Sequence, residues 1–298
     1  MKAKPQHSNH HSNLRICFDR VVPDELHPAN AASQAAAVEH HKNEIHARAL
    51  AAGLDANELI HIARMAVSLS KKWENGRQLK CRFLDGSSTQ QKKVEDKAHL
   101  WEQFGNVSFK FISSGPAEIR ISFAADPGSW SAVGTDCLVQ DYFPLHQPTM
   151  NYGWLEDNTE DQEYERVVVH EFGHALGCIH EHQSPKAHLD WNKQIVYQVF
   201  SGPPNYWSKE EIDQNILEKY SGKNMAETRF DLKSIMLYQF DGALFKNGRG
   251  TPLNFELSDH DKQFIAQMYP KVAAGARLGA PPARKASTQG TRIVSLVG

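Results

Sequence analysis

The segment His170-Glu171-Phe172-Gly173-His174-Ala175-Leu176-Gly177-Cys178-Ile179-His180-Glu181-His182 constrains this chain more than any other. In an α-helix, residues four apart stand one turn above each other, so His170 and His174 aim both imidazoles at one point while Glu171 stands beside them. A continuing helix would turn His180 roughly 120° off that face, so the helix has to stop first. Gly177 supplies the stop, because glycine tolerates the left-handed conformation that ends helices and reverses the chain. Three histidines would leave the fourth tetrahedral position for water, as in catalytic rather than structural zinc sites.

The chain holds sixteen histidines. On that composition a bare His-Glu-x-x-His arises by chance in roughly one such sequence in twenty. Requiring Gly177 and His180 at fixed offsets lowers the odds to about one in ten thousand, which sets aside the reading of unrelated core or surface histidines.

The full pattern, His-Glu-x-x-His-x-x-Gly-x-x-His, is the signature of the metzincin zinc endopeptidases, and Glu181 directly after the third histidine resembles their astacin branch. Ser234-Ile235-Met236-Leu237-Tyr238 is a second match. Metzincins carry a methionine turn beneath the zinc, and in astacin-like members a tyrosine two residues later reaches the metal region. Read alone, Met236 is core filler and Tyr238 a half-buried aromatic.

The resemblance implies one catalytic Zn2+ held by His170, His174 and His180, with Glu171 as general base and Met236 as a structural support. It implies that Tyr238 approaches zinc at rest and swings to hydrogen-bond the oxyanion, and it suggests a structural salt bridge for Glu181. The implied fold is an α+β, zincin-like catalytic domain: a mixed twisted sheet, an active-site helix, and a mostly irregular or helical lower half. The implied activity is peptide-bond hydrolysis, with a protein or peptide substrate extended along an edge strand, expected at 131–135. The alternative is a catalytically inactive zinc-binding interaction module, which a missing base or ligand would favour; Glu171 and all three histidines are present.

A chain of 298 residues with 40% hydrophobic content suggests a soluble globular protein of one large domain or two ordinary ones. A net charge of -2 without a sustained Lys/Arg run argues against nucleic acid as a partner. No apolar run is long enough to cross a bilayer, and Met1 to Asn13 lacks the apolar core of a secretory signal. The expected location is the cytoplasm, or outside it by an unconventional route. Cys17, Cys81, Cys137 and Cys178 are widely spaced and read as reduced, partly buried thiols.

Three regions are expected: an extension over 1–73, the catalytic domain over 74–272, and a flexible tail over 273–298. Little regular structure is indicated in 1–30, whereas 31–72 reads as two helices joined at Gly53-Leu54-Asp55. The histidines His40, His41 and His46 do not share a helical face and read as solvated. Strands are expected at 79–84, 107–111, 119–123 and 148–154, with an edge strand at 129–134. Ser87 or Ser88 caps a helix to about Phe104, and Thr159 with Gln162 forms a capping box for the metal helix. Its stripe of Tyr164, Val167, Val168, Phe172, Ala175 and Leu176 should face the core. His182 and His188 read as supporting or surface residues. Helical or partly helical stretches are expected over 191–200 and 208–220, and Leu257-Ser258-Asp259 caps a last helix through Met268-Tyr269, stopped by Pro270. Family precursors block their zinc with a carboxylate or thiolate from the N-terminal segment, for which Cys17 or Asp19 qualifies. An ordinary extension packing on the domain is the preferred expectation.

Overall fold

The structure, a computed structural model, describes residues 17–22, 67–68, 71–125, 128–203, 205–219, 225–226 and 229–271. The expected N-terminal helices and the histidines His40, His41 and His46 lie outside the described residues, as does the tail at 273–298. Two corrections concern the extension. The stretch expected to be irregular contains β1 (Phe18–Arg20), and the end of the expected helical region contains β2 (Val67–Ser68). Both are made by pairing with distant segments, which overrides local propensity.

The remaining strands are β3 (Gln78–Phe83), β4 (Ser108–Phe111), β5 (Ile119–Ser122), β6 (Trp130–Ala132), β7 (Met150–Asn151) and β8 (Met225–Ala226). β2 and β8 form a separate antiparallel pair. The others build one mixed sheet in the order β1-β6-β7-β5-β3-β4, in which only β6 and β7 run antiparallel. All four residues of β5 are buried, including Arg120, whereas β3 beside it alternates between buried and exposed residues along its first four positions. A buried guanidinium needs acceptors. Arg120 donates to the carbonyls of Ala117, Phe143, Pro144 and Gln147, and so ties the loop before β7 to the sheet.

The sequence placed an edge strand at 129–134, and β6 does form there, but it is not the edge. β1 lies outside it in parallel register, with Phe18 opposite Trp130, Asp19 opposite Ser131 and Arg20 opposite Ala132.

The described helices are α1 (Ser88–Ala98), α2 (Asp161–Ala175), α3 (Lys193–Phe200), α4 (Lys209–Ile212) and α5 (Asp259–Met268). Ser87 and Ser258 cap α1 and α5 through reciprocal capping boxes, each cap being worth about 1 kcal/mol. The capping box expected at Thr159 does not form. α2 starts at Asp161 behind an N-cap Glu160 that makes no side-chain cap bond, because the Thr159 hydroxyl already accepts the Glu156 amide and closes the preceding turn. Asp161 and Glu163 still favour the positive helix end, and Lys97 at the end of α1 bridges Asp161 and Glu165.

α2 lies across the sheet. Phe172 meets Phe109 of β4 edge-on at 4.7 Å, and the indole of Trp101 donates to the Val169 carbonyl. The whole predicted stripe from Tyr164 to Leu176 is buried. Each such side chain contributes roughly 1.5–3 kcal/mol. That burial holds the opposite, histidine-bearing side of α2 in a fixed place. The four cysteines are buried and unpaired, as the sequence suggested.

Candidate metal centre

α2 ends where the sequence requires. Gly177 sits at φ +96°, its amide donates to His174 O, and the Cys178 amide donates to Gly173 O at 3.0 Å, which together make a Schellman turn. The carbonyls stranded at the helix end are taken by distant side chains: Trp73 Nε1 donates to Ala175 O and the Tyr269 hydroxyl to Leu176 O, each at 2.8 Å. The stop is therefore fixed by packing as well as by glycine.

The reversal brings His180 back to the helix face. His174 Nε2 lies 3.2 Å from His170 Nε2 and 3.0 Å from His180 Nε2. Nitrogens bound tetrahedrally at about 2.0–2.1 Å from one zinc ion would stand roughly 3.3 Å apart, close to the observed spacing. The outer nitrogens settle the tautomers. His170 Nδ1 donates to Ile235 O and His174 Nδ1 to Cys178 O, each at 2.8 Å. His180 Nδ1 faces Gln183 Oε1 at 3.3 Å, and the Gln183 amide is oriented by donating its hydrogen to Gln214 O. With hydrogens on the Nδ1 atoms, the three Nε2 lone pairs point at a common space, an arrangement that a cation stabilises and that its absence leaves repulsive. The donor set thus fits zinc.

Below this lies the turn at 234–238. Asp261 accepts hydrogens from the Ser234 hydroxyl, the Ile235 amide and the Ser258 amide, each at 2.8–2.9 Å. The Ile235 carbonyl then orients His170, so the Asp261 carboxylate positions that imidazole at one remove. Met236 fills the space under α2: a Cβ at Gly173 would stand 2.5 Å from its sulfur. Only a glycine on α2 lets the turn approach that closely. The Tyr238 ring lies 4.1 Å from that of His180 and stacks on that of His170 at 5.7 Å. His182, stacked on His180 at 5.3 Å, also meets the Tyr238 ring at 4.9 Å, while His188 is exposed. The salt bridge suggested for Glu181 does not form: among the described residues its carboxylate meets no cation and accepts the Asp231 amide at 2.8 Å.

The matrixin family matches residues 72–191 of this chain. Among solved structures, the structure of myroilysin is similar at 42% identity and a TM-score of 0.67, covering 70% of this chain and 99% of that one. A crystal structure of myroilysin is similar at 40% identity and a TM-score of 0.55, covering 68% and 87%. The chain belongs to the metzincin zinc metallopeptidases. A hatching-enzyme zinc-protease from Oryzias latipes, high choriolytic enzyme 1, also matches at 17% identity and a TM-score of 0.45, over 70% of this chain and 98% of that one, too distant to bear on the argument. No curated protein matches the chain.

In this metzincin the centre is fully enclosed. Burial holds His170, His174 and His180 below the usual imidazole range, hence neutral and able to ligate; for His170 and His180 the neighbouring imidazoles add to this. Burial pushes the Glu171 carboxyl well above the carboxylate range, against the Cys17 thiol and the Arg166 guanidinium, which pull it down. Burial also carries the Glu181 carboxyl to about 8.

β1 lies against this centre. The Cys17 sulfur, a His170 ring nitrogen and a Glu171 oxygen all lie within 4.8 Å of one another. Asp19 Oδ1 stands 3.7 Å from His180 Nδ1. Beyond them, the Val22 amide donates to Asp136 Oδ2, while the Lys71 ammonium donates to both Asp136 Oδ2 and the Val22 carbonyl. Sequence reading named Cys17 and Asp19 only as candidates. It missed Asp261 and Gln183, whose partners are set by tertiary packing; a buried carboxylate inside a capping box was the one available signal for Asp261.

Proposed function

We propose that this metzincin is a zinc-dependent endopeptidase whose one catalytic ion is held by His170, His174 and His180. The observation that carries the proposal is the convergence of the three Nε2 atoms, with a buried carboxylate from Glu171 beside them. Zinc there would act as a Lewis acid toward water and toward the scissile carbonyl. Glu171 takes the proton of the attacking water and passes it to the leaving amine. Tyr238, held between His170, His180 and His182, donates a hydrogen bond to the oxyanion. Burial keeps the three histidines neutral, so no proton competes for the Nε2 positions. The catalytic unit is the body that follows the extension, read from the sequence as residues 74–272.

The chain as a whole is read as latent. β1 occupies the sheet edge that an extended peptide would use, and the Cys17 thiol and Asp19 carboxylate stand at the catalytic groups. Of the two readings of the N-terminal segment, this geometry supports the blocking one.

Incubating the purified chain with unfolded casein, with and without a chelator, tests the activity. Chelator-sensitive cleavage is expected after the segment is loosened or removed; cleavage that survives zinc removal would sink the proposal. Tyr238→Phe is expected to lower kcat by about 10- to 1,000-fold with zinc content unchanged, since one oxyanion donor is lost. An unchanged kcat would remove Tyr238 from the mechanism.

A further inference from the structure

β1 is a peptide lying on the cleft edge, and its side chains report what that edge accepts. Arg20 is the most informative of them. Its guanidinium carbon lies 4.5 Å from the ring centre of Trp130, 5.3 Å from that of Phe143 and 5.7 Å from that of Tyr142. The rings are arranged against one another: Trp130 and Phe143 are nearly parallel at 6.4 Å, and Tyr142 meets Phe143 edge-on at 5.2 Å. Aromatic faces carry negative potential, and three directed at one cation attract it more strongly than one.

None of these rings belongs to the extension. Trp130 is on β6, and Tyr142 and Phe143 are on the loop that Arg120 anchors through the carbonyls of Phe143, Pro144 and Gln147. Removing β1 would leave this cradle standing beside an open strand edge with its backbone groups free to pair with another peptide. Tyr142 is 37% exposed even with Arg20 in place, so the cradle is open on its outer side.

We propose that Trp130, Tyr142 and Phe143 form a substrate subsite that selects a basic side chain, arginine ahead of lysine because the planar guanidinium stacks on the rings. The inference rests on the endopeptidase reading and names the substrate class of that same cleft: peptides carrying an arginine at one fixed distance from the scissile bond. Arg20 occupies the subsite in the intact chain as a built-in competitor.

The test uses matched peptides bearing arginine, or its neutral isostere citrulline, at each position around the scissile bond, offered to the zinc-loaded full-length chain loosened by Cys17→Ala and Asp19→Ala and carrying Arg20→Ala to empty the cradle. Arginine is expected to exceed citrulline in kcat/KM by about two- to thirtyfold at one position, through KM, the range of a cation over aromatic rings. Tyr142→Ala is expected to erase most of that ratio. Equal rates for arginine and citrulline at every position, or a ratio untouched by Tyr142→Ala, would overturn the subsite. A binding measurement that needs no turnover separates this from the activity: the full-length chain carrying Arg20→Ala and Glu171→Gln is titrated with both peptide series. Tighter binding of the arginine peptide by a similar factor supports the cradle, and equal affinities overturn it, whether or not the unmutated chain cleaves anything.

Discussion

Replacing Glu171 by glutamine is expected to lower kcat by about 10²–10⁴-fold while the chain still binds one zinc ion. The substitution keeps the shape of a fully buried side chain and removes only its capacity to take a proton. Metal binding should survive because the orientation of the three imidazoles does not depend on Glu171. Their outer nitrogens are held by Ile235 O, Cys178 O and Gln183 Oε1. Kinetics on a small peptide, run alongside zinc content, check the prediction. Loss of zinc with loss of activity would make Glu171 a structural residue, and retained turnover would remove it as the base.

Cys17→Ala in the full-length chain is expected to raise kcat/KM on a small peptide by roughly 5- to 150-fold, the span of a coupling worth a few kcal/mol. The thiol is buried, and burial first and the neighbouring Glu171 carboxylate second push it well above the usual thiol range. Its removal takes away one contact between the segment and the catalytic groups. The β1–β6 pairing and the Val22–Asp136–Lys71 cluster stay in place. Opening should therefore be partial, and adding Asp19→Ala should raise activity further. An activity equal to that of the unmutated chain in both variants would show that the segment packs on the domain without blocking it.

What the sequence made legible follows from the range of the interactions involved. The clustering of His170, His174 and His180 is set by helical repeat and one helix stop, and the residues that decide it are adjacent in the chain. The serine caps before α1 and α5 and the stripe of α2 are local in the same sense. What escaped depends on partners far along the chain. Phe18–Arg20 is too short for its alternation to mark a strand and becomes one only by pairing with β6 more than a hundred residues later. That pairing also moved the sheet edge away from 129–134. The Thr159 box failed because a competing amide reached the hydroxyl first, and Glu181 found the Asp231 amide instead of a cation. Asp261 and Gln183 orient His170 and His180 through contacts that no spacing rule encodes.

The resemblance to metzincins supplied what local physics could not: that Met236 and Tyr238 belong beside the histidines. Geometry then gives each a reason to be there. Met236 fits because residue 173 lacks a Cβ, and Tyr238 is wedged among three imidazoles. At Cys17, Asp19 and Arg20 a single short segment touches Glu171, the clustered histidines and the aromatic cradle.

An anomalous difference map recorded at the zinc absorption edge, from crystals of the zinc-loaded full-length chain, bears most directly on the centre. One peak is expected, at about 2.0–2.1 Å from the Nε2 atoms of His170, His174 and His180 alike. A peak that excludes His180, or none at this position, would contradict the account.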